Sequence, residues 1–170
     1  MKQILLLRHA KSSWDDPGLE DFNRPLAGRG LTDAPRMGKF IRKAGYKPDY
    51  IASSSATRAK QTTELVLEAA HVSHQMITWD NDLYFGSVND YLNAIQQAPN
   101  QAETIMIVGH NPLMETVAGW LSGASERTAI RMPTAALVCL ESFSVRWTDI
   151  TPGTCQIKWM MIPKLLKEIF

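Results

Sequence analysis

Three short apolar runs in this sequence each end at residues able to hold a phosphoryl group. Leu5-Leu6-Leu7 leads into Arg8-His9, Ile51-Ala52-Ser53 into Ser54-Ser55-Ala56-Thr57-Arg58, and Ile107-Val108-Gly109 into His110-Asn111-Pro112. Arginine offers a planar, always-charged fork of donors that matches phosphoryl oxygens two at a time. An unprotonated imidazole can take a phosphoryl group covalently. Two arginines and two histidines in one pocket would therefore combine a nucleophile with fixed positive charge around a transferring group. Pro112 suits the first position of a helix, whose free amides would add to the anion field. Singly, an Arg after a strand is most simply a solvated cap, and a His a hydrogen-bonded structural residue. The shared placement at three points is what argues for a site.

That argument requires the three runs to be neighbouring parallel strands, because ligands of open α/β sheets bind outside the carboxyl ends of such strands. The periodicity alternates short apolar runs with amphipathic stretches, the pattern of a layered α/β domain. It predicts strands at Gln3–Leu7, Tyr50–Ser53, Met76–Trp79, Thr104–Val108, Ala136–Leu140 and Cys155–Met160. The last two follow each other without a helical pattern between them, so an antiparallel pair joined through Asp149–Gly153 is expected at one edge. Thr32 is read as the cap of a helix with the stripe Met37, Phe40, Ile41 and Ala44, stopped by Gly45. Ser87 and Asp90 form a candidate capping box ahead of Val88, Tyr91, Leu92 and Ile95. Further helices carry Thr62, Leu65, Val66 and Ala69, and Leu113, Met114, Val117, Ala118 and Leu121 with Gly123 past the end. The expected fold is three-layer α/β/α with a mostly parallel central sheet, one domain over residues 1–170. The aperiodic polar stretch Lys11–Gly30 is long enough to read as a functional loop.

Composition narrows the classes. The chain has 170 residues, with 18 Lys plus Arg against 17 Asp plus Glu, a net charge of +1. Such balance lacks the basic footprint of a nucleic-acid binder. Cys139 and Cys155 are too few and isolated for a disulfide framework or a CxxC metal site, and read as small core hydrophobes. The apolar run after Met1-Lys2-Gln3 is too short for a signal peptide, and no apolar stretch approaches the ~20 residues that span a bilayer. A soluble cytoplasmic protein without nucleic-acid or membrane partners is expected.

Three segments carry a family resemblance. Arg8-His9-Ala10-Lys11-Ser12-Ser13-Trp14, Ser53-Ser54-Ser55-Ala56-Thr57-Arg58-Ala59-Lys60-Gln61-Thr62 and Val108-Gly109-His110-Asn111-Pro112 resemble the signatures of the histidine phosphatase superfamily, the phosphoglycerate mutase-like fold. The Arg-His-Ala-Lys-Ser opening and Asn23-Arg24-Pro25-Leu26 resemble SixA-type phosphohistidine phosphatases in particular. The resemblance implies that His9 is the nucleophile, that Arg8 and Arg58 clamp the phosphoryl oxygens, and that His110 donates to them. Arg24 matches a further cationic position near the phosphate. Lys11, Ser12 and Asn111 join it as candidate phosphate-binding residues. It also implies a first strand at the centre of the sheet.

No metal or other cofactor is expected, since guanidinium groups and His110 take the place of magnesium, and no Gly-rich loop with Lys-Ser/Thr is present to hold a nucleotide. His71-Val72-Ser73-His74 reads as an exposed helix end. Mutases and alcohol-phosphate phosphatases of the fold it resembles usually place a Glu after the third strand to protonate a leaving alkoxide, and Leu83-Tyr84-Phe85-Gly86 puts Phe85 at that position. An imidazole leaving from a phosphoramidate needs less help than an alkoxide, which favours N–P hydrolysis. Asp82 is the alternative acid. Trp14, Phe85 and Trp120 are candidate pocket or rim residues, Trp120 with the stronger case for core packing. The sequence thus predicts a monomeric, metal-independent phosphatase acting through phospho-His9 on a phosphohistidine-bearing phosphorelay or phosphotransfer protein. The alternatives are hydrolysis of a small phosphorylated metabolite such as a sugar phosphate and, from another class, a non-catalytic phosphate-binding module.

Overall fold

The computed structural model describes residues 1–124 and 130–170. Its strands are β1 (Lys2–Arg8), β2 (Tyr50–Ser54), β3 (Ile77–Asp80), β4 (Thr104–Gly109), β5 (Leu137–Ser142) and β6 (Gln156–Met161), each within two residues of the expected bounds. They form one sheet in the order β3-β2-β4-β1-β5-β6. The first four positions are parallel, while β5 runs antiparallel to β1 and β6 antiparallel to β5. The expected inner position of β1 is therefore the observed one, and its carboxyl end lies beside that of β4, with Arg8 opposite Gly109.

The helices are α1 (Gly28–Lys43), α2 (Thr57–Ala70), the single turn α3 (Asp82–Phe85), α4 (Val88–Gln96) and α5 (Leu113–Leu121). Successive side chains of a strand face opposite sides, and β1 uses both. Ile4 and Leu6 pack with Tyr91, Ile95, Val117 and Leu121 of α4 and α5, whereas Leu5 and Leu7 pack with Met37, Ile41, Val66 and Leu67 of α1 and α2. Helices thus cover both faces, as the three-layer expectation required. Each aliphatic side chain so buried contributes about 1.5–3 kcal/mol. Gly38 permits the α1–α2 crossing, since a Cβ there would lie 2.3 Å from the Val66 carbonyl oxygen.

Two boundaries differ from expectation. Helix α1 begins at Gly28, four residues before Thr32, whose hydroxyl instead donates to the Gly28 carbonyl at 3.1 Å. Its start comes from a tertiary contact. The Ala27 amide donates to the Lys11 carbonyl at 2.8 Å, and Gly30 leaves room for that backbone, where a Cβ would come within 2.3 Å of the Lys11 oxygen. Pro112 occupies the cap of α5 rather than its first helical position. Other signals hold: Ser87 and Asp90 make the capping box, and Gly45 and Gly123 take positive φ after their helices. Cys139 and Cys155 are buried and free. No helix among the described residues is long and apolar enough to cross a membrane.

Candidate active site

Because β2, β4 and β1 are neighbours, their carboxyl ends bring Arg8, His9, Arg58 and His110 together. His9 follows β1 directly, its amide donating to the Gly109 carbonyl at 3.0 Å and its carbonyl accepting from Ala135 at 3.1 Å. Its Nδ1 lies 2.7 Å from the Ala10 carbonyl oxygen. A carbonyl can only accept, so Nδ1 carries the proton and Nε2 keeps its lone pair. Thr62 of α2 ties this exit down, accepting from the Ala10 amide at 2.9 Å and donating to the Arg58 carbonyl at 2.6 Å.

The His110 ring stands 4.9 Å from that of His9, tilted by 46°. Gly109 allows the Tyr91 hydroxyl to approach the end of β4, where a Cβ would sit 2.1 Å from it. That hydroxyl donates to the Leu83 carbonyl at 2.6 Å and accepts from the His110 amide at 3.0 Å. On the ring, Nε2 lies 2.8 Å from the Ser54 hydroxyl, which also accepts from the Ala56 amide at 3.3 Å. His110 Nδ1 is buried without a hydrogen-bond partner among the described residues, as is Arg8 Nε. Unpartnered buried donors are costly, and two in one pocket mark where an anion would bind.

Arg8 reaches the Met132 carbonyl through Nη1 at 2.7 Å, and Glu115 holds that segment by accepting from the Met132 amide and the Asn111 side-chain amide, each at 2.7 Å. Arg58, in the first turn of α2, donates from Nη2 to Asp21 Oδ2 at 2.9 Å. Arg24 joins the same carboxylate through Nη1 at 2.7 Å and also donates to Ser12 Oγ at 2.7 Å and to the Ser13 carbonyl at 2.9 Å. Tyr84 completes the cluster, its hydroxyl donating to Asp21 Oδ2 at 2.7 Å and its ring edge-on to His110 at 5.2 Å.

Burial is the main cause that disfavours charge on both histidines. It lowers His9 to about 4, with Arg58 and Arg8 adding to the effect and the Ala10 bond and Asp21 opposing it. His110 falls to about 3 through burial, then His9 and Arg58. The guanidinium groups push in the expected direction, but desolvation comes first. Burial alone would raise the Asp21 carboxyl, yet hydrogen bonds from Tyr84, Arg24 and Arg58 outweigh it and hold the group far below the ordinary carboxylate range. Burial and Asp21 both raise Tyr84. Two neutral imidazoles therefore face one another among three guanidinium groups and an ionised aspartate.

The remaining expected residues lie around this centre. Ser12 is buried and meets Arg24, Asn111 directs its amide to Glu115 and the Met132 carbonyl, and Lys11 is exposed. Asp82 is exposed at the start of α3, where its amide donates to Asp80 at 2.8 Å. Phe85 is exposed, stacked on Phe22 at 5.5 Å, and Trp14 lies flat on Arg24, whose guanidinium carbon is 3.2 Å from the ring centroid. Trp120 is half-buried on α5. Sequence reasoning missed Asp21, Tyr84, Glu115 and the role of Ser54. The one available signal was the spacing of Asp21 three residues before Arg24 in an otherwise aperiodic loop.

The chain is similar to known proteins over most of its length. Residues 4–91 match the model of the histidine phosphatase superfamily (branch 1). An uncharacterised chloroplast protein of Arabidopsis thaliana is 30% identical over 95% of this chain and 78% of its own length. Among solved structures, a candidate phosphohistidine phosphatase SixA from Agrobacterium tumefaciens is 28% identical and superposes with a TM-score of 0.77 over 95% of this chain and 99% of that one. The protein histidine phosphatase SixA complexed with tungstate shares 21% identity and the fold, with a TM-score of 0.82 over 97% of this chain and 99% of that one.

Proposed function

Since the chain belongs to the histidine phosphatase superfamily (branch 1), we propose that it is a metal-independent phosphatase that removes the phosphoryl group from phosphohistidine on a protein, through a covalent phospho-His9 intermediate. The similarity to a candidate phosphohistidine phosphatase over nearly the whole chain supports that choice. The observation that carries it is the protonation pattern: two neutral histidines and an ionised Asp21 supply a nucleophile and anchors but no proton.

The phosphoryl oxygens sit among Arg8, Arg58 and His110, whose donors match developing negative charge. With the Ser54 hydroxyl donating to His110 Nε2, Nδ1 carries the proton and donates to an oxygen. The lone pair on His9 Nε2 attacks phosphorus as the bond to the substrate imidazole breaks. That imidazole, protonated beforehand on its other nitrogen, keeps the bonding pair and leaves neutral. Phospho-His9 is built the same way, with its Nδ1 proton held by the Ala10 carbonyl. Water then attacks phosphorus, His9 Nε2 recovers its pair, and inorganic phosphate departs with the water's protons. Neither step expels an alkoxide, so neither demands a general acid. Guanidinium charge fills the role that magnesium has in P-loop sites, and a chelator is expected to leave turnover unchanged.

The test is phosphate release from a phosphohistidine-bearing protein and a panel of phosphomonoesters, side by side, with His9→Ala as control. Release from phosphohistidine, absent in the variant, is expected. Faster release from esters would keep His9 as nucleophile, overturn the substrate class and direct attention to Asp82.

A further inference from the structure

The mouth of the pocket carries a surface that the chemistry just described does not use. Residues 14–21 are all exposed, an unusual run beside a buried centre. Trp14 is 71% exposed and Phe85 70%, although each contacts a residue of the site's own network. Trp14 lies on Arg24, and Phe85 packs edge-on to Tyr84 at 4.6 Å and face-on to Phe22 at 5.5 Å. Large rings fixed in place yet left in water mark an interaction surface rather than a core. Between Ala10 and Asn23 the same loop carries Asp15, Asp16, Glu20 and Asp21 against the single cation Lys11. Asp21 is bonded to the site's arginines, but Asp15, Asp16 and Glu20 take part in no ion pair among the described residues.

Resting on the reading of the site as a phosphatase, we propose that this aromatic and acidic rim is the docking surface for the partner protein, and that the partner presents basic and apolar residues around its phosphorylated side chain. The surface is continuous with the pocket through Tyr84 and Arg24, so a protein whose phosphorylated side chain enters the pocket comes to lie on it. Its charge then chooses between classes of substrate. A small polyanionic metabolite meets carboxylates on its way in, whereas a basic, apolar protein face finds complementary charge and rings to cover. The phosphoryl anion itself is met by Arg8 and Arg58 at the floor, where the unpartnered Arg8 Nε and His110 Nδ1 lie.

The experiment compares two synthetic peptides, one with phosphohistidine flanked by Lys and Leu and one with it flanked by Glu and Ser, together with free phosphohistidine. The same flanks around phosphoserine are run in parallel. The intact protein is expected to favour the Lys/Leu peptide by about tenfold in kcat/KM, an advantage that shrinks with salt. Phe85→Ser and the double variant Asp15→Lys/Asp16→Lys each reduce that preference while leaving free phosphohistidine turnover unchanged. Equal turnover of both flanks by the unaltered protein overturns the proposal, as does a variant that slows free phosphohistidine as much as the peptide. If only the phosphoserine peptides are hydrolysed, the phosphohistidine reading fails and the rim is judged from their flank preference instead.

Discussion

At the floor of the pocket, His9 and His110 are each nine-tenths buried and held by backbone as well as side-chain bonds, and Arg58 has its guanidinium fixed by Asp21. At the rim, Trp14 and Phe85 are exposed over most of their surface, and their side chains are held by ring contacts. The floor is built where strand ends leave the chain no freedom, so its geometry exists before substrate arrives, which is what transition-state electrostatics require. The rim rests on a loop and a single helical turn, where a change of side chain leaves the strand ends that hold His9 in place. On the proposed reading the contrast separates chemistry from partner choice, and substitutions can pull the two apart.

The largest effect belongs to the proposed nucleophile. His9→Ala removes the residue assigned to the covalent intermediate and is expected to lower phosphate release by at least about 10³-fold. Acid-labile label on the protein after brief reaction with substrate should vanish in the same variant. If label persists, the phosphoryl group is carried elsewhere. Next comes Arg58→Ala, expected to lower kcat by about 10²–10³-fold, the usual scale for losing one preorganised charged donor. Arg24→Ala should cost less, because three of the Arg24 donors already serve Asp21, Ser12 and Ser13. An equal loss in the two variants would place Arg24 at the phosphate rather than behind it.

How much of this was legible beforehand divides along the same line. The strands were legible because uniform apolar runs such as Ile4–Leu7 are buried on both faces of a covered sheet and stop where the chain reaches solvent. The residues of the floor were legible for that reason too, as Arg8, His9 and His110 stand at those stops and Arg58 in the helical turn that follows one. The start of α1 was not, because Ala27 offers no capping side chain and the boundary is set by a contact with Lys11 across the loop. Nor was Asp21, whose partners Arg58 and Tyr84 lie 37 and 63 residues away. Ser54 was visible, but its bond to His110 depends on β2 and β4 being neighbours, and periodicity yields elements rather than their order.

Acid acts on the floor through its two histidines. Both histidines ordinarily titrate near 6.5, but in the folded protein His9 titrates at about 4 and His110 at about 3. His9 is therefore neutral through the neutral range. After correction for the substrate's own acid hydrolysis and for the titration of its imidazole, kcat/KM is expected to show no transition from His9 or His110 near 6.5 and to fall roughly tenfold per unit below about 4. Stability follows the same sign. Between the two values the unfolded chain binds protons that the folded one refuses, so unfolding becomes easier as pH drops below 6.5. Denaturant midpoints measured from pH 7 downwards check this. A midpoint flat through that window would mean that the imidazoles are charged in the pocket.

The smallest effect is the most discriminating, because it concerns two residues of the same helical turn. Leu83 is fully buried, and its carbonyl accepts the Tyr91 hydroxyl that in turn holds the His110 amide. Leu83→Ala is expected to destabilise by about 2–5 kcal/mol, the scale for emptying a packed aliphatic site, and to slow every substrate alike through His110. Phe85, two positions on, turns its ring outward. Phe85→Ala should shift Tm by no more than about 2 °C, as exposed substitutions change stability by about 0.5 kcal/mol or less. Turnover of free phosphohistidine should stay within about twofold, since removing a contact to the rest of a substrate leaves the reacting groups as they were. Were Phe85→Ala to slow the free amino acid as strongly as a protein substrate, its ring would belong to the machinery of the floor, and the boundary between the two regions would run outside α3 rather than through it.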